Sequence, residues 1–317
     1  MSHRLSAIQL INGQIKENRR HYSKSDGTMN KAGVKAQTAF ANWLLKTRLV
    51  ESLLGAEVEG KKYETRREIV KNLAPTFDLL CTRATVDNKL LDCLWETLQR
   101  DTGADMRRTI FSIVGSLGGS LKLEQLDYLF AKIRTLQDDA SFDSAALNLV
   151  RQFTRLAIPS AAKAGEVRLY GLDVLWDLMQ DDSPVSPDMA TQAQRSIPSL
   201  LTLDHERKLT GRIIGKCMEH ASRGVSVVQC LRVAQEVMRQ LQGASALGTG
   251  AGGSTVEAAS AAQGVLDTLE STHNVVALVI GSIEEYIKAA NAAIAACETT
   301  RAAGLGECRV YAYLRQQ

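Results

Sequence analysis

Six cysteines and five histidines are the side chains in this sequence whose chemistry most readily supports catalysis or metal binding. A cysteine hydrolase needs a thiolate beside an activating histidine in an accessible, electropositive pocket. Cys217 and His220 are the only close pair, and their spacing puts both on one face of a helix. Two ligands are too few for a structural zinc site. We therefore expect a packed thiol beside a surface histidine. Cys93, set among leucines and a tryptophan, is expected in the core.

Other motifs with chemical meaning are weak. The Gly-rich run 248–253 resembles a dinucleotide-binding loop, but such a loop follows a strand, and no strand precedes this one. No Gly-Lys-Ser/Thr phosphate loop occurs. The carboxylate runs Asp138-Asp139 and Asp181-Asp182 fall at predicted turns, where solvation explains them. The sequence thus predicts no catalytic, cofactor-binding or metal-ligating residue.

Clusters of basic residues leave two interpretations open. They occur at Arg19-Arg20, at Lys61-Lys62 with Arg66-Arg67, and at Arg107-Arg108, interleaved with Asp and Glu. Solvated helix faces are the expected interpretation, and contact with a phosphate or an acidic partner is the alternative. The net charge of +3 does not favour nucleic acid. Helical-repeat RNA binding would need basic and stacking residues at one recurring position, and none recurs.

The elements that would carry these residues are helices. The clearest is Arg168–Gln180, whose apolar residues, Trp176 among them, recur at helical spacing on more than one side. Ser186 and Pro187 suit the cap and first turn of the next helix. Further helices are predicted in the ranges 5–22, 39–54, 63–73, 85–98, 106–117, 123–136, 143–158, 187–203, 206–222, 226–241, 256–269 and 274–297. The segment 21–35 is predicted to be a loop, and Pro75 and Pro159 are predicted to end helices.

From residue 85 onward the helices begin about every 20 residues, so a pair recurs about every 40, as in HEAT and armadillo arrays. The fold class expected is all-α, an armadillo/HEAT-like α-solenoid of stacked helical hairpins that bury one another's apolar faces. We expect an array over 1–242, a flexible Gly/Ala/Ser linker over 243–254, a C-terminal helical pair over 255–297 and a weakly ordered tail over 298–317. Scattered cysteines suit reduced thiols in the cytoplasm or nucleus. No apolar run is long enough to span a bilayer.

Several stretches, in one order along residues 4–290, resemble the armadillo-like region upstream of the catalytic domain in large ubiquitin-specific proteases of the fat-facets type. The stretches are Arg4-Leu-Ser-Ala-Ile, Ala41-Asn-Trp-Leu-Leu, Leu90-Leu-Asp-Cys-Leu-Trp, Leu123-Glu-Gln-Leu-Asp-Tyr-Leu-Phe, Tyr170-Gly-Leu-Asp-Val-Leu-Trp-Asp-Leu and His273-Asn-Val-Val-Ala-Leu-Val with Tyr286 downstream. The Gly-rich tract and the short C-terminal spacing depart from that pattern.

The resemblance implies a non-catalytic segment of a deubiquitinating cysteine peptidase, or a stand-alone relative. The family's nucleophile and histidine boxes have no counterpart here, so no active-site residue is carried over. The function expected is a scaffold that binds ubiquitin-pathway proteins or positions a deubiquitinase module. The alternative is a thiol-dependent hydrolase or redox protein that uses Cys217 or Cys308.

Overall fold

A computed structural model describes most of the chain as helices. The residues described are 3–23, 28–55, 67–84, 86–99, 103–138, 142–204, 207–247, 263–264, 267, 271 and 274–302. They contain no β-strand, only one isolated antiparallel bridge between Ser23 and Met29. The chain divides into two compact units, Met1–Leu209 and Thr210–Gln317. The predicted all-α class is confirmed.

Eleven α-helices make up the described part of the first unit. They are α1 (His3–Tyr22), α2 (Lys31–Lys46), α3 (Leu49–Leu53), α4 (Arg67–Lys71), α5 (Ala74–Arg83), α6 (Asn88–Gln99), α7 (Ala104–Leu117), α8 (Leu123–Arg134), α9 (Ser144–Lys163), α10 (Gly171–Leu178) and α11 (Pro187–Leu201). A 3₁₀ turn at Thr135–Asp138 extends α8. Most helices pack on helices within three positions of them in chain order, such as α7 on α9 and α10 on α11. Such local packing is how repeat arrays build a continuous core.

The core begins with α1. Its residues Ile8, Ile11 and Ile15 are three or four positions apart, so they share one face, and all three are buried. That face meets α2, α4 and α5. α5 itself is largely enclosed and places Phe77 and Leu80 at 0% exposure. α1, α2, α4 and α5 therefore share one apolar interior.

The helix predicted to end before Pro75 does so, since α4 ends at Lys71. Pro75 lies in the first turn of α5, a helix that was not predicted. A backbone N–H at this position would have no intrahelical acceptor, so a proline fits there. The prediction that Pro159 ends a helix was wrong. Pro159 lies inside α9, which continues to Lys163. The helix persists because Ala157, Ile158 and Ala161 bury one face on both sides of the proline. Burial at these positions outweighs the loss of one backbone hydrogen bond.

The predicted loop over 21–35 was also partly wrong. α2 begins at Lys31 because the side chain of Asn30 accepts a hydrogen bond from the backbone N–H of Gly33 at 2.8 Å. The predicted helix over 39–54 is divided where Arg48 adopts a left-handed conformation, φ 50°. Gly55, with φ 78°, then ends α3 as expected.

α10 is the predicted helix around Trp176, although it starts later, at Gly171. It contacts α8, α9 and α11, and Trp176 is only 1% exposed. Burial on several sides is thus confirmed. The next helix begins as predicted, because Ser186 accepts from the backbone N–H of Met189 at 3.4 Å and Pro187 occupies the first turn.

The start of α10 lies directly against α9. The backbone N–H of Gly171 donates to the Thr154 hydroxyl at 3.1 Å, and that hydroxyl donates to the Val150 carbonyl at 2.6 Å. A Cβ at Gly171 would overlap the Thr154 hydroxyl. Tyr170, just before it, has φ 42°, a strained conformation for a residue with a side chain. Close packing therefore requires glycine at this helix start.

The second unit contains α12 (Lys208–Ser222) from Thr210 onward, α13 (Val227–Leu247) and α14 (Val275–Ala302). α13 continues through residues 243–247, which were predicted to begin the linker; residues 248–254 lie outside the described residues. Most of the predicted helix over 256–269 does too. α14 extends five residues beyond the predicted end at 297, and the rest of the predicted tail is not described. Among the described residues, no helix is long and apolar enough to cross a bilayer.

Candidate functional site

Cys217 does not have the surroundings of a catalytic thiol. It is 0% exposed on α12. A hydrogen bond with the Cys230 thiol, together with burial, raises its pKa well above the ordinary range. A nucleophilic cysteine needs the opposite, an accessible thiol with a lowered pKa. Cys217 is packed as expected from the sequence, and its neighbour His220 is half-buried. These surroundings do not support the alternative hydrolase using Cys217.

The other described thiols do not show the accessibility and lowered pKa of a nucleophilic cysteine either. Burial raises the pKa of Cys81 to about 12. Cys93 was expected in the core. It is only partly buried and lies at the edge of the core. Cys308, the other residue of the alternative hypothesis, lies outside the described residues. Within the described part of the chain, no group of three or more His, Cys, Asp or Glu side chains is placed to hold a metal ion.

Two of the motif stretches meet in a polar cluster between α6 and α8. Asp92 accepts hydrogen bonds from the Tyr128 hydroxyl at 2.6 Å and the Lys132 ammonium at 2.7 Å. Partial burial alone would raise the pKa of Asp92, but these two donors outweigh it and the pKa is lowered. The cluster connects α6 with α8. It is a structural contact.

Further motif residues hold backbone groups at helix ends. Arg4 donates to the carbonyls of Ser52 and Leu53 at 3.0 and 3.1 Å, the last carbonyls of α3. Gln125 donates to the carbonyl of Val86 and accepts from the backbone N–H of Lys122 at 3.1 Å. These side chains replace hydrogen bonds that the helices cannot supply. Their contribution is to the fold.

The aromatic motif residues divide between core and surface. Tyr170 packs edge-on against Phe130 and Phe153, with ring centroids 5.6 and 6.1 Å apart. Trp43, in contrast, is 50% exposed on α2 and stacks on Phe40 at 5.8 Å. A half-exposed tryptophan is one of the side chains that protein interfaces favour.

The most distinctive surface of the first unit is a groove between α4 and α7, which we call the basic groove. Its volume is about 440 Å³, and the described residues that line it are Arg67, Lys71, Ala74, Asp105, Arg108, Thr109, Ser112 and Ile113. Arg67 donates to Asp105 at 2.8 Å, and Arg108 approaches the same carboxylate at 3.6 Å. The described lining thus contains three cationic side chains and one carboxylate, an excess of two positive charges.

Only part of the lining of the basic groove could be predicted from the sequence. Arg67 and Arg108 belong to two of the basic clusters, for which a solvated face and an acidic partner were both open. Their convergence depends on the packing of α4 against α7, which are distant in sequence. Lys71, Asp105 and the hydroxyl residues had not been singled out. The sequence signal that could have added Lys71 to this surface was its spacing, one helical turn after Arg67.

The second unit has an exposed apolar row on α14. Ile280, Ile283, Ile287 and Ile294 are 51%, 53%, 50% and 37% exposed. Their spacing of three, four and seven residues keeps them on one face, as in the seam of a helix–helix contact. Exposed apolar rows of this kind are typical of surfaces that contact other proteins.

A family model described as the UBP24/USP9X/USP9Y ARM repeat matches residues 1–314. The chain belongs to this family. The resemblance drawn from the motif stretches is thereby confirmed, and so is the armadillo-like α-solenoid as fold class. No match was found among curated proteins. The family match covers a helical region of large ubiquitin-specific proteases and includes no catalytic domain.

Proposed function

We propose that this chain is a non-catalytic armadillo-like scaffold that binds protein partners of the ubiquitin pathway or positions a deubiquitinase catalytic module. The observation that carries the proposal is the family match, which corresponds to the ARM-repeat region of such proteases. The surroundings of Cys217 and Cys81 support it, because buried thiols with raised pKa values are poor nucleophiles.

Three surface features support partner binding over a purely structural role. The basic groove, the exposed Trp43 and the isoleucine row on α14 offer charged, aromatic and apolar contacts. Interfaces combine such groups, with arginine and aromatic residues enriched. We further propose that the chain acts in the cytoplasm or nucleus. The scattered cysteines support this, because thiols packed as small apolar residues in helices are typical of reducing compartments.

Sedimentation velocity tests the scaffold proposal directly. The 317-residue chain is mixed with the separately expressed catalytic domain of a USP9X-type protease, and in a second arm with a ubiquitinated test protein. Interfaces between domains are modest, so we expect a complex with a Kd of about 1–10 μM in at least one arm. Independent sedimentation in both arms at about 100 μM would contradict the proposal.

A further inference from the structure

We infer that the basic groove between α4 and α7 binds an acidic peptide segment, one that carries at least two Asp or Glu side chains. The inference rests on the proposed scaffold role and names the chemistry of one partner segment. It starts from a contact already present. Asp105 receives Arg67 at 2.8 Å and Arg108 at 3.6 Å, so the groove displays the arginine–carboxylate pairing that a partner's carboxylate would repeat.

The lining retains capacity for more carboxylates. Asp105 offsets only one of the three positive charges of Arg67, Lys71 and Arg108. The side chain of Arg67 is 41% exposed. The guanidinium of Arg108 is accessible, at 70% exposure of its side chain. Two carboxylates from a partner would therefore balance the charge excess and occupy donors that Asp105 leaves unused.

The shape of the groove favours a peptide over a small ligand. Its volume of about 440 Å³ is open to solvent rather than enclosed, whereas small-molecule sites bury most of the ligand surface. Ala74 and Ile113 supply a short apolar floor, on which the methylene groups of Glu side chains can lie. The exposed Ser112 can donate a hydrogen bond to a partner's carbonyl or carboxylate.

The lining also favours carboxylates over nucleic acid and phosphate. None of the lining residues that the structure describes is aromatic, so this part of the lining offers no ring on which a base could stack. Asp105 contacts both arginines. Its negative charge repels a phosphate dianion more strongly than it repels a single carboxylate. Carboxylate-bearing side chains are the ligand chemistry that fits both the donors and the resident acid.

Fluorescence anisotropy of a fluorescein-labelled hexaglutamate peptide with the full chain provides the test. Arg108→Glu reverses one charge in the groove, and we expect binding at least about fivefold weaker, or about 1 kcal/mol. Arg195→Glu, an exposed position on α11, makes the same charge change elsewhere and serves as the matched control. We expect it to alter the Kd by less than about twofold.

Several outcomes overturn the inference. They are no binding of hexaglutamate, equal weakening by Arg195→Glu, and binding of a phosphoserine peptide of the same length without binding of hexaglutamate. Circular dichroism checks that each variant is folded, and Lys71→Glu replaces Arg108→Glu if the latter unfolds. A failed peptide test with a complex still seen in sedimentation rejects the groove alone, because that experiment does not depend on the peptide.

Discussion

Replacing Trp176 with alanine tests whether α10 lies at the centre of the first unit. The side chain is 1% exposed and surrounded by α8, α9 and α11, so truncation leaves a cavity that packed helices cannot close. Such changes at buried aromatic residues cost about 3–5 kcal/mol. For a unit of this length, about 4 kcal/mol corresponds to a melting temperature lower by roughly 8–16 °C.

Trp43→Ala is the matched control, because it removes the same atoms at a site that is 50% exposed. Water fills the vacated space, and the main loss is the stacked contact with Phe40, worth roughly 0.5–1.5 kcal/mol. The two variants should therefore differ by about 3 kcal/mol, although the chemical change is identical.

Tryptophan fluorescence in a urea titration measures the difference. All three tryptophans, Trp43, Trp95 and Trp176, lie in the Met1–Leu209 unit, so the signal reports on this unit and each variant keeps two of them. Equal midpoints for the two variants, or a loss below about 2 kcal/mol for Trp176→Ala, would refute the packing around α10.

Further expectations concern packing, thiol chemistry and pH. Gly171→Ala should lower the free energy of unfolding by about 1–3 kcal/mol, because the added Cβ meets the Thr154 hydroxyl; a thermal melt unchanged within error would contradict this. At pH 8 the thiolate fraction of Cys81 should be roughly a thousandfold below that of an ordinary cysteine, so site-resolved mass spectrometry should find it unlabelled by iodoacetamide in the native chain. Labelling as fast as that of a free cysteine would show that it is accessible. Asp92→Asn should lower stability by about 1 kcal/mol or less near neutral pH, since Asp92 is partly exposed. Because the folded pKa of Asp92 is lowered, this stabilisation exists above the unfolded carboxyl pKa of about 4 and disappears as pH falls through the folded value. Urea titrations across the acid range check it, and a difference that grows on acidification would contradict the sign.

The helical fold was predictable because apolar periodicity is long and regular in most elements. The helix around Trp176, the Ser186 cap and the buried face of α1 all follow from spacing alone. The errors cluster at residues with two opposite roles. Pro75 was expected only to end a helix, yet it also lies in the first turn of α5, which was not predicted, and Asn30 starts α2 inside a predicted loop. Which role such a residue takes depends on burial of the residues that follow.

The surface was less predictable than the fold. Arg67 and Arg108 were visible as basic residues in separate clusters. Arg108 reaches Asp105 within α7, three residues away, but only the packing of α4 on α7 brings Arg67 to the same carboxylate. Exposure is equally a tertiary property: Trp43 and Trp176 both follow helical patterns, yet one is half-exposed and the other buried. Local spacing does not distinguish them, because it records only which side chains share a face.

The measurement that bears most directly on a scaffold without a catalytic thiol is turnover of a ubiquitin–fluorophore substrate by the purified 317-residue chain. We expect no release of fluorophore above the rate in buffer, since the described thiols Cys81 and Cys217 are buried with raised pKa values. Turnover that is lost when a single cysteine is replaced by alanine would contradict the account.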